Sequence, residues 1–182
     1  MDNGASSYRR FLEGEKEAFD EIINVYSDGL TFFINRYVQN LAAAEDITID
    51  VFTELIVHPR RYNFSVSLKT YLYMIGRSRA LNYLKRQKRY TMVDIAEVEE
   101  WLADEKELEA QILADERKSL VNEGLKKLPT DMRIVVHLIY FEELSYEDAA
   151  KIMGKNRKQI DNLLYRAKSM LRTILQKEEL LS

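Results

Sequence analysis

Apolar residues recur every three or four positions along most of this chain, which is the spacing of an amphipathic α-helix. Over residues 8–40 the pattern predicts two helices, or one helix bent near Gly29. The apolar positions of that stretch are Phe11, Phe19, Ile22, Ile23, Tyr26, Leu30, Phe33, Ile34 and Tyr37.

A further helix is predicted over residues 42–57, and His58-Pro59 ends it, because proline disfavours helical backbone in the residue before it. A loop follows over residues 60–66. Ser67 is then a candidate N-cap for a long helix over residues 68–89. In the last third of the chain, Pro129 and Gly154 separate helices predicted over residues 117–128, 131–141, 146–153 and 157–176.

Glycine and proline are scarce, which narrows the fold class. The 182 residues include only 6 Gly and 2 Pro, too few for the special turns of a β-rich fold. The chain has no Cys, which excludes disulfides and suits a reducing cytosol, and it has no apolar run of about 18 residues. We therefore expect an all-α cytoplasmic protein of two small helical domains, residues 1–90 and 117–182, joined by a linker over residues 91–116.

The predicted linker carries most of the acidic charge. Residues 94–116 have a net charge of −9, so the rest of the chain carries +6 although the whole chain is −3. The acidic total therefore does not exclude nucleic acid as a partner of the two flanking blocks. Two interpretations of the acidic segment are open: a linker with a role of its own in function, or a solvated spacer.

A helix-turn-helix is predicted near the C-terminus, in the segment LSYEDAAKIMGKNRKQIDNLLYRAKSML. Ser145 can cap its first helix, with Asp148 closing a capping box three residues later. Gly154 falls at the turn, where positive φ is expected, and Asn156 can cap the second helix. Ile160 follows as the core anchor of that second helix.

The exposed side of this second helix is basic, as in a helix that enters the major groove of DNA. Arg157, Lys158 and Asn162 lie where base or near-base contacts are expected. Asp161 either repels phosphate or accepts a hydrogen bond from a cytosine amine. The alternative is a solvated charged face on an ordinary helical hairpin. The other bases of this side are Arg166, Lys168 and Arg172.

The long helix of the first half carries seven bases and no acid. Tyr71, Tyr73 and Tyr83 are interleaved with the bases, and Tyr62 and Phe64 lie just upstream. Positive charge follows a phosphate backbone and aromatic rings stack on unpaired bases, so the pattern favours single-stranded DNA. Alternatively, the tyrosines belong to the core and the bases are solvated. The bases are Lys69, Arg77, Arg79, Lys85, Arg86, Lys88 and Arg89.

No catalytic or metal site is predicted. His58 and His137 are far apart in the sequence and lie in unlike contexts, and the densest carboxylates fall in a segment without a rigid scaffold. Phosphate-binding glycine loops and nucleophile motifs are lacking. We expect neither enzymatic activity nor a cofactor.

Three segments, in this order, resemble the extracytoplasmic-function branch of the sigma-70 family of bacterial RNA polymerase sigma factors. The first, similar to the family's polymerase-docking helix, is AEDITIDVFTEL. The second, similar to its promoter-melting and −10-reading helix, is SLKTYLYMIGRSRALNYLKRQKR. The third, similar to its −35-reading domain, is LKKLPTDMRIVVHLIYFEELSYEDAAKIMGKNRKQIDNLLYRAKSMLR.

The resemblance implies roles for three sets of residues. Docking on the β′ clamp helices of polymerase is implied for Asp46, Asp50 and Glu54. Capture of the −10 strand is implied for Arg61, Tyr62, Asn63, Phe64, Ser65, Lys69, Arg77, Asn82, Lys85 and Arg86. Contact with the −35 duplex is implied for Arg157, Lys158, Asp161, Asn162, Arg166 and Lys168.

The resemblance also implies partners: core RNA polymerase through its β′ clamp helices and β flap, promoter DNA, and an anti-sigma factor. Some positions depart from the family pattern. Ile49 stands where Gln is common, Gly76 and Ser78 where Ala and Asn are common, and Asp161 where many members carry Lys.

Two other classes of function are open. A helix-turn-helix regulator would use residues 1–90 as a sensor or dimerisation domain and bind intact duplex tightly without polymerase, whereas a sigma factor of this type should bind its promoter weakly alone. A nucleic-acid-modifying enzyme would need a catalytic cluster that the sequence does not supply.

Overall fold

The structure, a computed structural model, describes residues 4–91, 121 and 123–179. Every regular element in those ranges is helical, which confirms the all-α prediction. The acidic linker predicted over residues 91–116 lies, apart from residue 91, outside the described residues. The elements are α1 (Ala5–Leu12), α2 (Glu17–Val38), α3 (Leu41–Val57), a 3-10 turn (Pro59–Arg61), α4 (Leu68–Thr91), α5 (Thr130–Val136), a π-helical turn (His137–Phe141), α6 (Tyr146–Met153) and α7 (Arg157–Glu179).

The apolar stripe of the first half forms a core between α2, α3 and α4. Leu30, Phe33 and Ile34 of α2 are completely buried, as the helical spacing predicts. Two helices cover residues 8–40, as expected. The break lies at the turn that contains Gly14, and α2 runs through Gly29 without interruption.

The ends of α3 and α4 follow local side-chain chemistry. The Oδ1 atom of Asn40 accepts a hydrogen bond from the Ala43 N–H at 2.9 Å and caps α3, which ends just before His58. Ser67 caps α4 as predicted, because its Oγ accepts from the Thr70 N–H at 3.0 Å. These caps satisfy amide groups that have no partner inside a helix.

The helix-turn-helix forms where the sequence predicts it, from α6, the turn at Gly154 and α7. Ser145 Oγ accepts from the Asp148 N–H at 3.0 Å, and Gly154 adopts a left-handed φ of +63°. The Asp148 carboxylate accepts from the Ser145 hydroxyl, so the expected reciprocal capping box does not form there. It forms at α7, where Asn156 and Gln159 exchange two hydrogen bonds of 2.8 Å.

This capping box gives the first testable prediction. Replacing Asn156 with alanine should lower the free energy of unfolding by about 1 kcal/mol, because the first turn of α7 loses a bonded amide. Denaturant unfolding of the purified chain measures the change. Ser169→Ala, at an exposed position further along the same helix, is the control and should have little effect. Equal losses in the two variants would show that the cap does not hold α7.

The two halves of the chain pack against each other. Contacts join α4 to α6 and α2 to α5, and the buried apolar residues of both halves form one continuous cluster. The sequence predicts two domains joined by a linker and does not indicate how they lie relative to each other. None of the helices in the described ranges is long and apolar enough to cross a membrane.

Candidate nucleic-acid interface

The recognition face of α7 combines bases, an acid, an amide and an aromatic ring. We give this name to the exposed residues one and two turns apart along the first half of the helix. Ile160, Leu164 and Ala167 are buried on the opposite side, which turns this face to solvent. Its members are Lys158, Asp161, Asn162, Tyr165 and Arg166.

Two of the expected −35 residues flank this face and already have partners. Arg157 forms an exposed ion pair of 2.7 Å with Glu147 of α6. The Lys168 ammonium lies 5.2 Å from the centre of the Tyr140 ring, and its interaction with the Tyr140 hydroxyl raises the pKa of this lysine. Both contacts are exposed, so phosphate groups can replace them at little cost.

Sequence reasoning missed Tyr165. Its side chain is 76% exposed, and it lies four residues after Asp161 and three after Asn162, on the same face. An exposed aromatic ring on a groove-binding helix can make apolar contact with a thymine methyl group. Helical spacing from Lys158 and Asp161 would have found it, because seven and four residues both return to the same face.

The sequence predicts only a loop between the 3-10 turn and α4, but hydrogen bonds and ring contacts hold this loop in a defined conformation. Tyr62 is buried, and its hydroxyl donates to the Val66 carbonyl at 2.8 Å. Asn63 Oδ1 accepts from the Ser65 N–H at 3.1 Å. Phe64 adopts a left-handed φ of +60° and packs against Tyr62, with 4.6 Å between ring centres.

The expected −10 residues of α4 separate into two groups. Asn82, Lys85 and Arg86, in its second half, are exposed. Lys69 and Arg77, in its first half, are partly buried against the C-terminal half of the chain. The structure therefore does not bring the ten expected −10 residues onto one open surface.

The tyrosines of α4 mainly serve packing. Tyr73 is buried, and Tyr71 is half-buried with its ring 5.0 Å from that of Tyr62. Tyr83 is half-buried, and its hydroxyl accepts from Gln87 Nε2 at 3.0 Å. The core interpretation of these rings fits the described contacts.

A polar cluster around Glu142 joins the two halves. Lys69 Nζ lies 2.8 Å from the Glu142 carboxylate and donates to the Glu142 carbonyl at 2.7 Å. His137 Nε2 lies 3.2 Å from the other carboxylate oxygen. On α2, a Cβ added to Gly29 would come within 2.8 Å of the Tyr73 hydroxyl and 3.1 Å of Glu142, so only glycine leaves room here.

Glu142 reaches this position through irregular backbone. The π-helical turn ends there, and Glu143 adopts a left-handed φ of +53°. Burial alone would raise the pKa of Glu142, but the nearby His137, Lys69 and Tyr73 side chains outweigh it and lower the pKa to about 2. The carboxylate is therefore ionised in the docked arrangement.

The exposed face of α3 carries an acidic and apolar stripe. Asp46, Ile49, Asp50 and Thr53 recur at helical spacing, and Ile49 is 64% exposed. Val57 continues the stripe at the end of the helix. Exposed apolar residues rimmed by charges are typical of a protein-binding surface.

Two acids of α3 form ion pairs with Arg61 and Arg79. Arg79 of α4 pairs with Asp50 at 3.3 Å and with Glu54 at 2.6 Å, and Arg61 of the loop also pairs with Glu54. Desolvation raises the pKa of Glu54, but the two guanidinium groups outweigh it and the net shift is downward. The α3 face and the loop are therefore electrostatically connected. Within the described ranges, no group of three acidic or histidine side chains is placed to hold a metal ion.

Comparisons with known proteins give matches in both halves. Residues 22–90 match the family model "Sigma-70 region 2", and residues 120–171 match "Sigma-70, region 4". The chain is 30% identical to RNA polymerase sigma factor SigV of Bacillus subtilis, over 79% of this chain and 82% of that protein. It is 27% identical to the ECF RNA polymerase sigma-E factor of Haemophilus influenzae, over 92% of each chain.

A solved structure has a similar fold. It is the sigma factor RpoE of Bartonella quintana in complex with the anti-sigma factor NepR, with a TM-score of 0.66 and 23% identity. The match covers 87% of this chain and 96% of that one.

Proposed function

Because this chain belongs to the extracytoplasmic-function branch of the sigma-70 family of bacterial RNA polymerase sigma factors, we propose that it uses a separate surface for each step of promoter recognition. The chain directs RNA polymerase to promoters. In the proposal, residues 117–182 read the −35 duplex, and residues 1–90 dock on polymerase and trap the −10 strand. The acidic segment 91–116 joins them within the polymerase.

The recognition face of α7 is the observation that carries the proposal. The helix-turn-helix leaves Lys158, Asn162 and Arg166 exposed on one face, with Tyr165 between them. Lysine and arginine donate to guanine O6 and N7 in the major groove. Asp161 accepts from a cytosine amine, which would give this chain a −35 preference different from that of members with lysine at this position.

The loop over residues 61–65 and the exposed part of α4 are proposed to hold the −10 strand. Asn82, Lys85 and Arg86 supply donors and positive charge, and Phe64 is half-buried in the loop. We assign Tyr62 a supporting role, because it is buried beneath Phe64. Lys69 and Arg77 contribute only when the C-terminal half moves away from α4.

The stripe on α3 is proposed to dock on the β′ clamp helices. Basic or amide groups of a partner would compete with Arg61 and Arg79 for the carboxylates of Asp50 and Glu54. Docking would then release positive charge next to the −10 strand. Ile49 would bury its exposed apolar side chain in the same contact.

Separation of the two halves is part of the proposal. The −35 and −10 elements are distinct sites on DNA, and the Glu142 cluster occupies Lys69 in the docked arrangement. We propose that the docked form is the resting form, that polymerase binds the open form, and that an anti-sigma factor stabilises a form that cannot bind polymerase.

Other classes of function have less support. A regulator acting without polymerase is not favoured, because the chain matches region 2 as well as region 4. Sigma factors are in general non-enzymatic regulators of initiation, and we assign no catalytic step or cofactor to this chain. We propose that it acts in the cytoplasm, where RNA polymerase binds promoters.

The −35 assignment is tested with Lys158→Ala. Holoenzyme carrying this variant should bind promoter DNA about tenfold more weakly and show a relaxed preference at one −35 position, because one base-edge or near-base contact is lost. Binding to duplexes with single substitutions in the −35 element measures both effects.

Arg172→Ala is the matched control, since Arg172 is exposed on the same helix but lies about 9 Å beyond Arg166 along its axis. It removes the same charge outside the recognition face. Equal, sequence-independent losses in both variants would contradict the −35 assignment and indicate general attraction to phosphate.

A further inference from the structure

Phe64 has an unfavourable backbone conformation for an aromatic residue. Its φ of +60° lies in the left-handed region, where a side chain with a Cβ atom crowds the following carbonyl. Such a conformation persists only when neighbouring contacts hold it. The position of Phe64 therefore depends on what packs around the loop.

Helix α1 supplies part of that support. Tyr8 is completely buried, and its hydroxyl lies 3.2 Å from the Leu55 carbonyl and 3.0 Å from the Pro59 carbonyl. Its ring packs against Tyr62 and Phe64, at 5.4 and 6.1 Å between centres. Tyr8 thus fixes α1 to the end of α3 and to the start of the loop.

Arg9 covers the ring of Phe64 from the solvent side. Its guanidinium carbon lies 4.8 Å from the ring centre, which is a cation–π distance. Arg9 itself is exposed. Arg10, the next residue, points elsewhere and pairs with Glu15 and Glu21. Neighbouring arginines of one helix therefore have different roles.

We propose that Arg9 is a positioning residue for recognition of the −10 element. By stacking on Phe64, it holds the loop over residues 61–65 in the conformation that accepts an unstacked base of the separated strand. The inference rests on the proposed role of this loop in capturing the −10 strand. It gives helix α1 a role in promoter specificity, although α1 lies outside the proposed docking and DNA-reading segments.

The test compares Arg9→Ala with Arg10→Ala in holoenzyme. Binding is measured on fork-junction DNA with a single-stranded −10 element, carrying either the preferred base or a substitute at each position. In Arg9→Ala the preference at the captured base should fall about threefold, the size of one exposed cation–π contact. Arg10→Ala should keep the wild-type preference. Arg9→Lys should restore part of it, because an ammonium group also binds the ring face.

Salt dependence separates positioning from direct contact with DNA. If Arg9 only positions the loop, the slope of affinity against salt concentration should match that of wild type. A uniform loss for all bases, with a slope lower by about 0.7, would mean that Arg9 binds a phosphate and would overturn the inference. Equal behaviour of the Arg9 and Arg10 variants would overturn it too.

Phe64→Ala distinguishes this failure from failure of the proposed function. If Phe64→Ala loses base preference and Arg9→Ala does not, the loop captures the strand without help from Arg9. If Phe64→Ala also retains full preference, the loop is not the capture site. Thermal unfolding of each variant shows that a loss of preference is not a loss of folded protein.

Discussion

Glu142→Gln is expected to separate the two halves of the chain. The substitution keeps the shape of the side chain but removes the charge that faces Lys69 across the interface and His137 within its own half. Because Lys69 and Tyr73 of α4 contribute to lowering the pKa of Glu142, the docked arrangement should lose about 2 kcal/mol, the size of a hydrogen bond to a charged group. Small-angle scattering should show a larger radius of gyration, and Lys69 should become more reactive toward amine-labelling reagents.

Glu143→Gln is the matched control. Glu143 is the next residue, carries the same charge and is exposed. It should leave both measurements at wild-type values. A Glu142→Gln chain that stays as compact as wild type, with Lys69 equally protected, would show that the cluster does not hold the halves together.

The contribution of Glu142 should depend on pH in a defined direction. A carboxyl group whose pKa is lower in the docked form than in the open form stabilises the docked form above its ordinary pKa of 4.5, and that stabilisation is lost as the pH falls toward 2. The stability difference between wild type and Glu142→Gln should therefore be greatest near neutral pH and shrink by about pH 3. A difference that stays constant on acidification would contradict this origin.

Asp46→Lys is expected to weaken binding to core polymerase about thirtyfold. Asp46 begins the exposed stripe of α3, and reversing its charge would place a positive group against the basic or amide groups of the partner. Competition against a labelled sigma factor measures the affinity for core enzyme. The thermal unfolding temperature should be unchanged, because the Asp46 side chain makes no ion pair or hydrogen bond among the described contacts.

Glu45→Lys tests whether the position or only the charge matters. Glu45 is exposed on the same helix but lies about 100° around its axis from Asp46. It should reduce the affinity far less. Equal losses in the two variants would mean that overall charge, and not the stripe, governs binding to polymerase.

Most of the fold follows from periodicity and capping. The apolar stripe places α2, and Ser67, Ser145 and Asn156 mark helix starts because their side chains accept from amides three residues away. Such signals are local, so they can be identified from the sequence alone. The residues of the recognition face could also be identified in this way, apart from Tyr165.

The contact between the halves could not be predicted in this way. Lys69 and Glu142 are 73 residues apart, and neither has a pattern that marks it as a partner of the other. The role of Gly29 is equally hidden, because its lack of a Cβ matters only once Tyr73 and Glu142 lie beside it. Helical spacing identifies which residues are exposed on one element, but not which of those another element covers.

The α3 stripe shows what the sequence predicts and what only the structure reveals. Resemblance to the family implies docking for Asp50 and Glu54, yet the structure pairs them with Arg61 and Arg79. Ile49, which departs from the family pattern, is the apolar centre of the stripe. Under the proposed roles, a docking surface that also pairs with Arg61 and Arg79 would link polymerase binding to DNA binding.

Reconstituted transcription tests the central claim most directly. Core polymerase would be combined with wild-type chain, Lys158→Ala or Asn82→Ala on a library of promoters with randomised −35 and −10 elements, and transcript starts would be mapped. We expect promoter-specific starts with wild type, a preference changed only at −35 with Lys158→Ala, and one changed only at −10 with Asn82→Ala. Changes at the same element in both variants, or starts that do not depend on the added chain, would contradict this claim.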